Sequence, residues 1–204
     1  MKKPTTILAA SLLALAACSD GPAHSGAGDA SWASFSYAGP RSGSFEVRAD
    51  PDPGRFPLSQ TFAFGVRRPD DDGITIQSVL QRPGGRADWM TIEIPTRTAG
   101  VVSIDSESCP AWESACPNVF VAFDLPTGEN GTALYSCQLG TGTLRLTSVT
   151  SERAAGEFSG TGKCFVEGSD DEPPFTITGG RFDVKLTLAA RADRRSAARP
   201  VLPG

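Results

Sequence analysis

The sequence predicts an all-β domain, built as an antiparallel sandwich or closed barrel of about ten strands. Three observations carry that prediction. From Trp32 onward, short segments rich in Phe, Val, Ile and Thr alternate polar and apolar residues with period two. Gly, Pro and Asp turns separate them. No stretch shows the apolar spacing of an amphipathic helix. With many strands and no helix to cover a sheet, the economical solutions are two packed sheets or one sheet closed on itself.

The chain opens on an export signal. Lys2 and Lys3 form a basic start, Ile7 to Leu15 is an apolar run too short to span a bilayer, and small residues follow. The ending Leu15-Ala16-Ala17-Cys18 resembles the lipobox of bacterial lipoproteins. That resemblance implies removal of residues 1–17, a diacylglycerol thioether on Cys18, and an acyl chain such as palmitate on the new N-terminus. It also makes Ser19 compatible with sorting to the outer membrane of a Gram-negative cell. Several buried acyl chains, at about 0.8 kcal/mol per CH₂, would hold the protein at the membrane without a second anchor. Residues 19–30, SDGPAHSGAGDA, are small, polar and Gly-rich, and read as a flexible tether following the lipidated Cys18.

A single β domain is expected over 31–189. In GSFEVRA, Phe45, Val47 and Ala49 would share one face and Ser44, Glu46 and Arg48 the other. QTFAFGV repeats the scheme with Phe62, Phe64 and Val66; GITIQSVL and MTIEIP continue it. NVFVAFD carries Val119, Val121 and Phe123 in alternation. TALYSCQ reads as the next strand, and TGTLRLTSV as another, with Leu144 and Leu146 opposite Arg145 and Thr147. GEFSGTGKCFV and FTITGGRFDVKLTLA close the domain, with Gly179-Gly180 marking a bulge or bend. Residues 190–204 form an Arg/Ala-rich tail, read as a disordered, solubilising segment or as a contact to anionic lipid through Arg191, Arg194, Arg195 and Arg199.

Between Cys137 and Val184, the runs CQLGTGTLRLTSV, GEFSGT and FTITGGRFDV resemble the C-terminal pattern of a diffuse group of uncharacterised β-rich bacterial lipoproteins. The resemblance implies fold, export and anchoring, and brings no activity or binding residue with it. Read from the residues alone, Phe158, Phe175 and Phe182 are core and the glycines are close strand crossings or bends.

Cysteine usage agrees with export. Beside Cys18 stand Cys109, Cys116, Cys137 and Cys164, an even set that implies two disulfides. Of three possible pairings, Cys109 with Cys116 and Cys137 with Cys164 is favoured, because the first closes the short loop CPAWESACP. Six residues separate that pair and the folded region has no histidine, so zinc is not expected, nor any other metal or cofactor.

Composition narrows the function classes. Without Lys2 and Lys3 the mature chain has 17 basic residues against 23 acids, a balance of −6, which argues against a nucleic-acid partner. The one histidine, His24, lies in the tether, and neither Lys163 nor Lys185 sits in an S-x-x-K pattern, so serine hydrolysis is not expected. Paired cysteines cannot serve as nucleophiles. Gly160-Thr161-Gly162-Lys163 resembles a phosphate loop but lacks its first Gly and the Ser or Thr after Lys. The acidic runs at Asp70-Asp71-Asp72 and Ser169-Asp170-Asp171-Glu172 lack the ligand series of an EF-hand and read as turns. Glu46, Glu93, Glu107, Glu113 and Glu129 would make a glycan hydrolase only if two converged across a cleft.

Trp89, Trp112 and Tyr135 are candidates to line a groove. Trp112, beside Glu113 in the cysteine loop, is the best contact candidate; core packing is the ordinary alternative. The expectation is therefore a non-catalytic binding or accessory module of the envelope, held at the membrane by its N-terminal lipid and meeting an envelope protein, a glycan or a small ligand. A carrier with an apolar barrel cavity and a carboxylate-based hydrolase are the alternatives.

Overall fold

A computed structural model describes residues 29–52, 59–68, 71–109, 116–126 and 134–188. The signal, Cys18, the tether to residue 28, Trp112, Glu113, Glu129 and the tail from 189 lie outside them. Ten strands make up the domain, with no helix among the described residues. They are β1 (Trp32–Ala38), β2 (Gly43–Arg48), β3 (Phe62–Arg67), β4 (Ile74–Arg82) and β5 (Arg86–Ile94), then β6 (Gly100–Asp105), β7 (Asn118–Pro126), β8 (Tyr135–Val149), β9 (Arg153–Val166) and β10 (Pro174–Leu188).

Of the two all-β architectures, the chain adopts the barrel. Seven strands close a ring in the order β3-β4-β5-β7-β8-β9-β10. Strict antiparallel alternation cannot close an odd ring, so one pairing must be parallel. That pairing is β10 with β3, where Leu186 faces Gly65 and Leu188 faces Arg67. Of the other three strands, β1 and β6 attach along the long members and β2 pairs with β1. One edge of β10 receives β1 at Thr176–Asp183 and then β3; one edge of β8 receives β7 at Tyr135–Gln138 and then β6 at Thr141–Leu146. The wall thus has a six-strand row, β6-β8-β9-β10-β1-β2, and a four-strand row, β3-β4-β5-β7.

Serving two neighbours requires β8, β9 and β10 to bend, and glycine permits it. Gly142 and Gly160 face each other across the β8–β9 pair, and a Cβ on either would come within 2.9 Å of the other's Cα. On β10, Gly179 has φ 62° and the register shifts between Ile177 and Gly180, the expected bulge.

The interior is filled. Phe35 stacks on Phe45 at 4.9 Å between ring centroids, Tyr37 meets Phe123 at 4.6 Å, and Phe158 and Phe175 complete the aromatic centre. Val119, Val121, Leu144, Leu146 and Phe182 join them, as the alternation predicts. QTFAFGV requires a correction. The face of β3 that turns inward carries Ala63 and Gly65, whereas Phe62 and Phe64 pack outside the four-strand row with Val79, Ala87 and Trp89. The parallel junction is the reason: a Cβ at Gly65 would stand 2.6 Å from Leu186 Cδ2, so only the small-residue face fits against β10.

Ion pairs seal the ends. At one, fully buried Asp88 accepts hydrogen bonds from Arg82 Nε at 2.6 Å and from the Asp124 N–H at 3.1 Å. Asp124 is a bulge residue with φ 54°, and Arg41 pairs with it while lying over the Phe123 ring. At the other end, Lys185 bridges Asp50 at 2.7 Å and Asp29 at 3.3 Å, and its N–H donates to Ser31 Oγ, fastening the start of the folded chain to its last strand.

Candidate functional site

Period-two alternation places Thr141, Thr143, Ser159, Thr161, Lys163 and Phe165 on the outer face of the six-strand row. Alongside the glycine crossing that face has little relief, because the outward side chains there, Thr141, Thr143, Ser159 and Thr161, are short. A shallow trough of about 420 Å³ results, floored by Gly140, Gly162 and Leu139, with Thr141, Thr161 and Gln138 along it. Thr141 Oγ1 and Thr161 Oγ1 share a hydrogen bond of 3.1 Å across the strand pair. Lys163 stands at one side, paired with Glu172 at 3.0 Å, and the Phe165 ring lies 54% exposed beside it.

The opposite rim is the turn after β6. Asp105 accepts from Ser108 Oγ at 2.6 Å and from the Glu107 N–H at 3.1 Å, and these bonds hold its carboxyl below the ordinary range. Ser106 N–H donates to the Gly140 carbonyl and Cys109 N–H to the Asp105 carbonyl, so Ser106 and Glu107 line the trough in a fixed turn. That turn runs directly into Cys109, which lies at disulfide distance from Cys116, Cα–Cα 5.4 Å. Cys137 and Cys164 form the second such pair, directly opposite across β8 and β9 and wholly buried.

Further depressions among the described residues lie on the same face. A second, of about 390 Å³, lies among Val101, Thr143, Ser159 and Arg181; a third, of about 150 Å³, lies among Trp32, Glu46, Arg48 and Arg181. One cross-strand row between them, Arg145, Glu157, Arg181, Ser34 and Glu46, alternates charge along the sheet.

Trp89 and Tyr135, the two aromatic candidates among the described residues, do not meet. Trp89 packs on the outside of the four-strand row with Phe120 and Leu125, whereas Tyr135 leans on the core from the inner face. The three candidate carboxylates among the described residues, Glu46, Glu93 and Glu107, are equally dispersed. Glu46 and Glu107 sit at opposite edges of the six-strand row, five strand spacings or roughly 24 Å apart along it, well beyond the reach of a hydrolytic pair. Glu93 lies on β5, where it accepts from Arg68 at 2.8 Å and from Thr75 Oγ1 at 2.7 Å, so it is a paired group and not the solvated carboxylate its strand position suggests. Asp71 and Glu172, from the two acidic runs, are likewise engaged, with Arg68 and Lys163.

Sequence reasoning missed Phe165, Thr141 and Thr161 as site residues. Their signal was present, since Lys163 and Phe165 alternate with the glycines of β9, but alternation alone does not say which face of a closed sheet is exposed. Comparison with protein-family models, with curated proteins and with solved structures finds no match to this chain.

Proposed function

We infer that the protein is a non-catalytic binding module of the bacterial cell envelope, lipid-anchored through Cys18, which holds a sugar polymer along its outer six-strand face. The trough at Gly140 and Gly162 carries this reading. Its lining of threonine hydroxyls, the Gln138 amide and one exposed aromatic ring offers what a sugar chain uses, hydrogen-bonding groups beside an apolar platform. An open, shallow shape suits a polymer that enters and leaves sideways. The separation of Glu46 from Glu107 supports binding over hydrolysis, and the aromatic filling of the barrel supports a surface site over a carrier cavity. The lipobox, the likeness to β-rich lipoproteins and the two cysteine pairs support an exported, anchored chain.

Two measurements test it. The full chain should sediment with membranes and take up labelled fatty acid, and Cys18→Ser should do neither; equal labelling of the two would remove the anchor. Isolated envelope polysaccharide should bind the full chain, and Phe165→Ala should weaken that binding about tenfold with an unchanged melting temperature. Binding indifferent to Phe165→Ala would remove the trough from the reading.

A further inference from the structure

Strand β6 pairs on one side only among the described residues, with β8. The phase of that pairing follows from the Ser106 N–H, which donates to the Gly140 carbonyl at 2.8 Å one step beyond the strand. Residues of an antiparallel ladder bond alternately to one neighbour and to the other. Gly100, Val102 and Ile104 therefore bond to β8, while Val101, Ser103 and Asp105 turn their N–H and C=O groups away. The Asp105 carbonyl is taken by the Cys109 N–H at 2.9 Å. Among the described residues the outward N–H and C=O of Val101 and Ser103 meet no other strand, and the Val101 side chain is 66% exposed. The strand, Gly-Val-Val-Ser-Ile-Asp, carries no proline, no lysine and no bulge, three of the devices that blunt a sheet edge, and its one charge, Asp105, stands at its end.

We propose that this edge is self-complementary and pairs with β6 of a second copy of the chain, antiparallel about a two-fold axis through Val102. The outward groups select that register. Residues that face each other must lie on the same side of the sheet, which leaves axes through Val102 or Ser103 at the strand centre. An axis at Val102 sets each Val101 against Ser103 of the second copy, and all four outward groups of each strand are then used, in four hydrogen bonds. An axis at Ser103 would set Val101 against Asp105, whose carbonyl is already engaged. The chosen register joins two six-strand rows into one sheet and lets the exposed Val101 pack beside a strand.

Edge pairing alone buries less than the roughly 1,200 Å² of a stable complex, so the association would be weak in dilute solution and stronger where copies are concentrated. The test therefore uses the full chain in the cells that express it. In the proposed register the two Val102 residues form a non-hydrogen-bonded pair with Cα atoms about 4.5 Å apart, within disulfide range. Val102→Cys should give a reducible dimer mapped to that position in both copies. Ser103→Cys, and Ser44→Cys on β2 as a collision control, should give at least fivefold less. Adding Val101→Pro to Val102→Cys removes one outward N–H without touching the β6–β8 ladder, and should lower the dimer yield about tenfold. If any variant loses the native cysteine pairs or melts early, Val101→Lys replaces Val101→Pro. Equal cross-linking at all three positions, or none at Val102→Cys, would overturn the proposal, the latter leaving the edge to an unrelated extended peptide.

Discussion

Gly162 and Gly140 both floor the trough, yet the same substitution should affect them very differently. A Cβ at Gly162 would run into the Gln138 carbonyl oxygen and come within 2.7 Å of the Gly140 nitrogen and 2.8 Å of the Gln138 carbonyl carbon. All three atoms belong to the backbone of β8, which is pinned there by β7, β9 and the Cys137–Cys164 pair, so no side-chain rotation relieves the clash. Overpacking costs typically 1–3 kcal/mol, and contact with a fixed backbone places Gly162→Ala at about 3 kcal/mol. For a domain of this size that corresponds to a fall in melting temperature of about 6–12 °C. At Gly140 the nearest atom to a new Cβ is Ser106 Oγ at 3.5 Å, an ordinary contact, and Gly140→Ala should stay within about 0.5 kcal/mol of wild type. Thermal melts by circular dichroism, with urea titration as a check, compare the two. Equal melting of the two variants would refute the account of β8 and β9 as a glycine crossing. Because Gly140→Ala narrows the trough floor without loss of fold, it also serves as a second probe of polysaccharide binding.

Removing Cys137–Cys164 by paired alanine substitution should cost about 3.6 kcal/mol in urea titration and removing Cys109–Cys116 about 2.4 kcal/mol, since the sequence separations are 27 and 7; the reverse order would show that the longer link does not act on the unfolded chain. Asp88→Ala leaves Arg82 without its buried partner and the Asp124 N–H without its acceptor, so a loss of about 3–5 kcal/mol is expected in the same titration, while Asp88→Asn, which keeps an acceptor, should lose less. Partial burial pushes the Asp50 carboxyl up, but its bonds from Lys185 and Ser31 outweigh this and hold it below 3.8; the Asp50 bond in turn holds the Lys185 ammonium above 10.5. The melting-temperature gap between wild type and Asp50→Asn should therefore be constant from about pH 5 to 9, and should close as pH falls through the lowered Asp50 pKa or rises through the raised Lys185 pKa. A gap unchanged at pH 2 would mean that the carboxylate charge does not stabilise the fold.

Strand content was legible because a half-buried antiparallel strand writes its two faces into the sequence, as Val119, Val121 and Phe123 do. Strand boundaries were less so. TALYSCQ and TGTLRLTSV read as two strands because Gly140 and Gly142 interrupt the apolar pattern, yet they are one bent strand, β8. The nine segments read from the alternation cover eight of the ten strands, β8 counting twice; Trp32–Ala38 and the mostly exposed Gly100–Asp105 are not among them. QTFAFGV misled for a different reason. Both faces of β3 are covered, and larger side chains on one face do not identify the inside when the closing strand demands the smaller. The trough could not be read from residue types, because they do not say which wall of a closed sheet meets water.

The parallel seam has a consequence for the order of events in folding. Gly65 and Leu186 lie 121 positions apart, and β10 alone holds β1, β3 and β9 together. The chain emerges N-terminus first, from a ribosome or from an export channel, so hairpins such as β4–β5 can form before the strand that closes the ring arrives. Until β10 arrives, β1, β3 and β9 each present an edge with nothing beside it, and the partly made chain is most prone to wrong pairing in that interval. The barrel is therefore committed late and all at once, by its last strand.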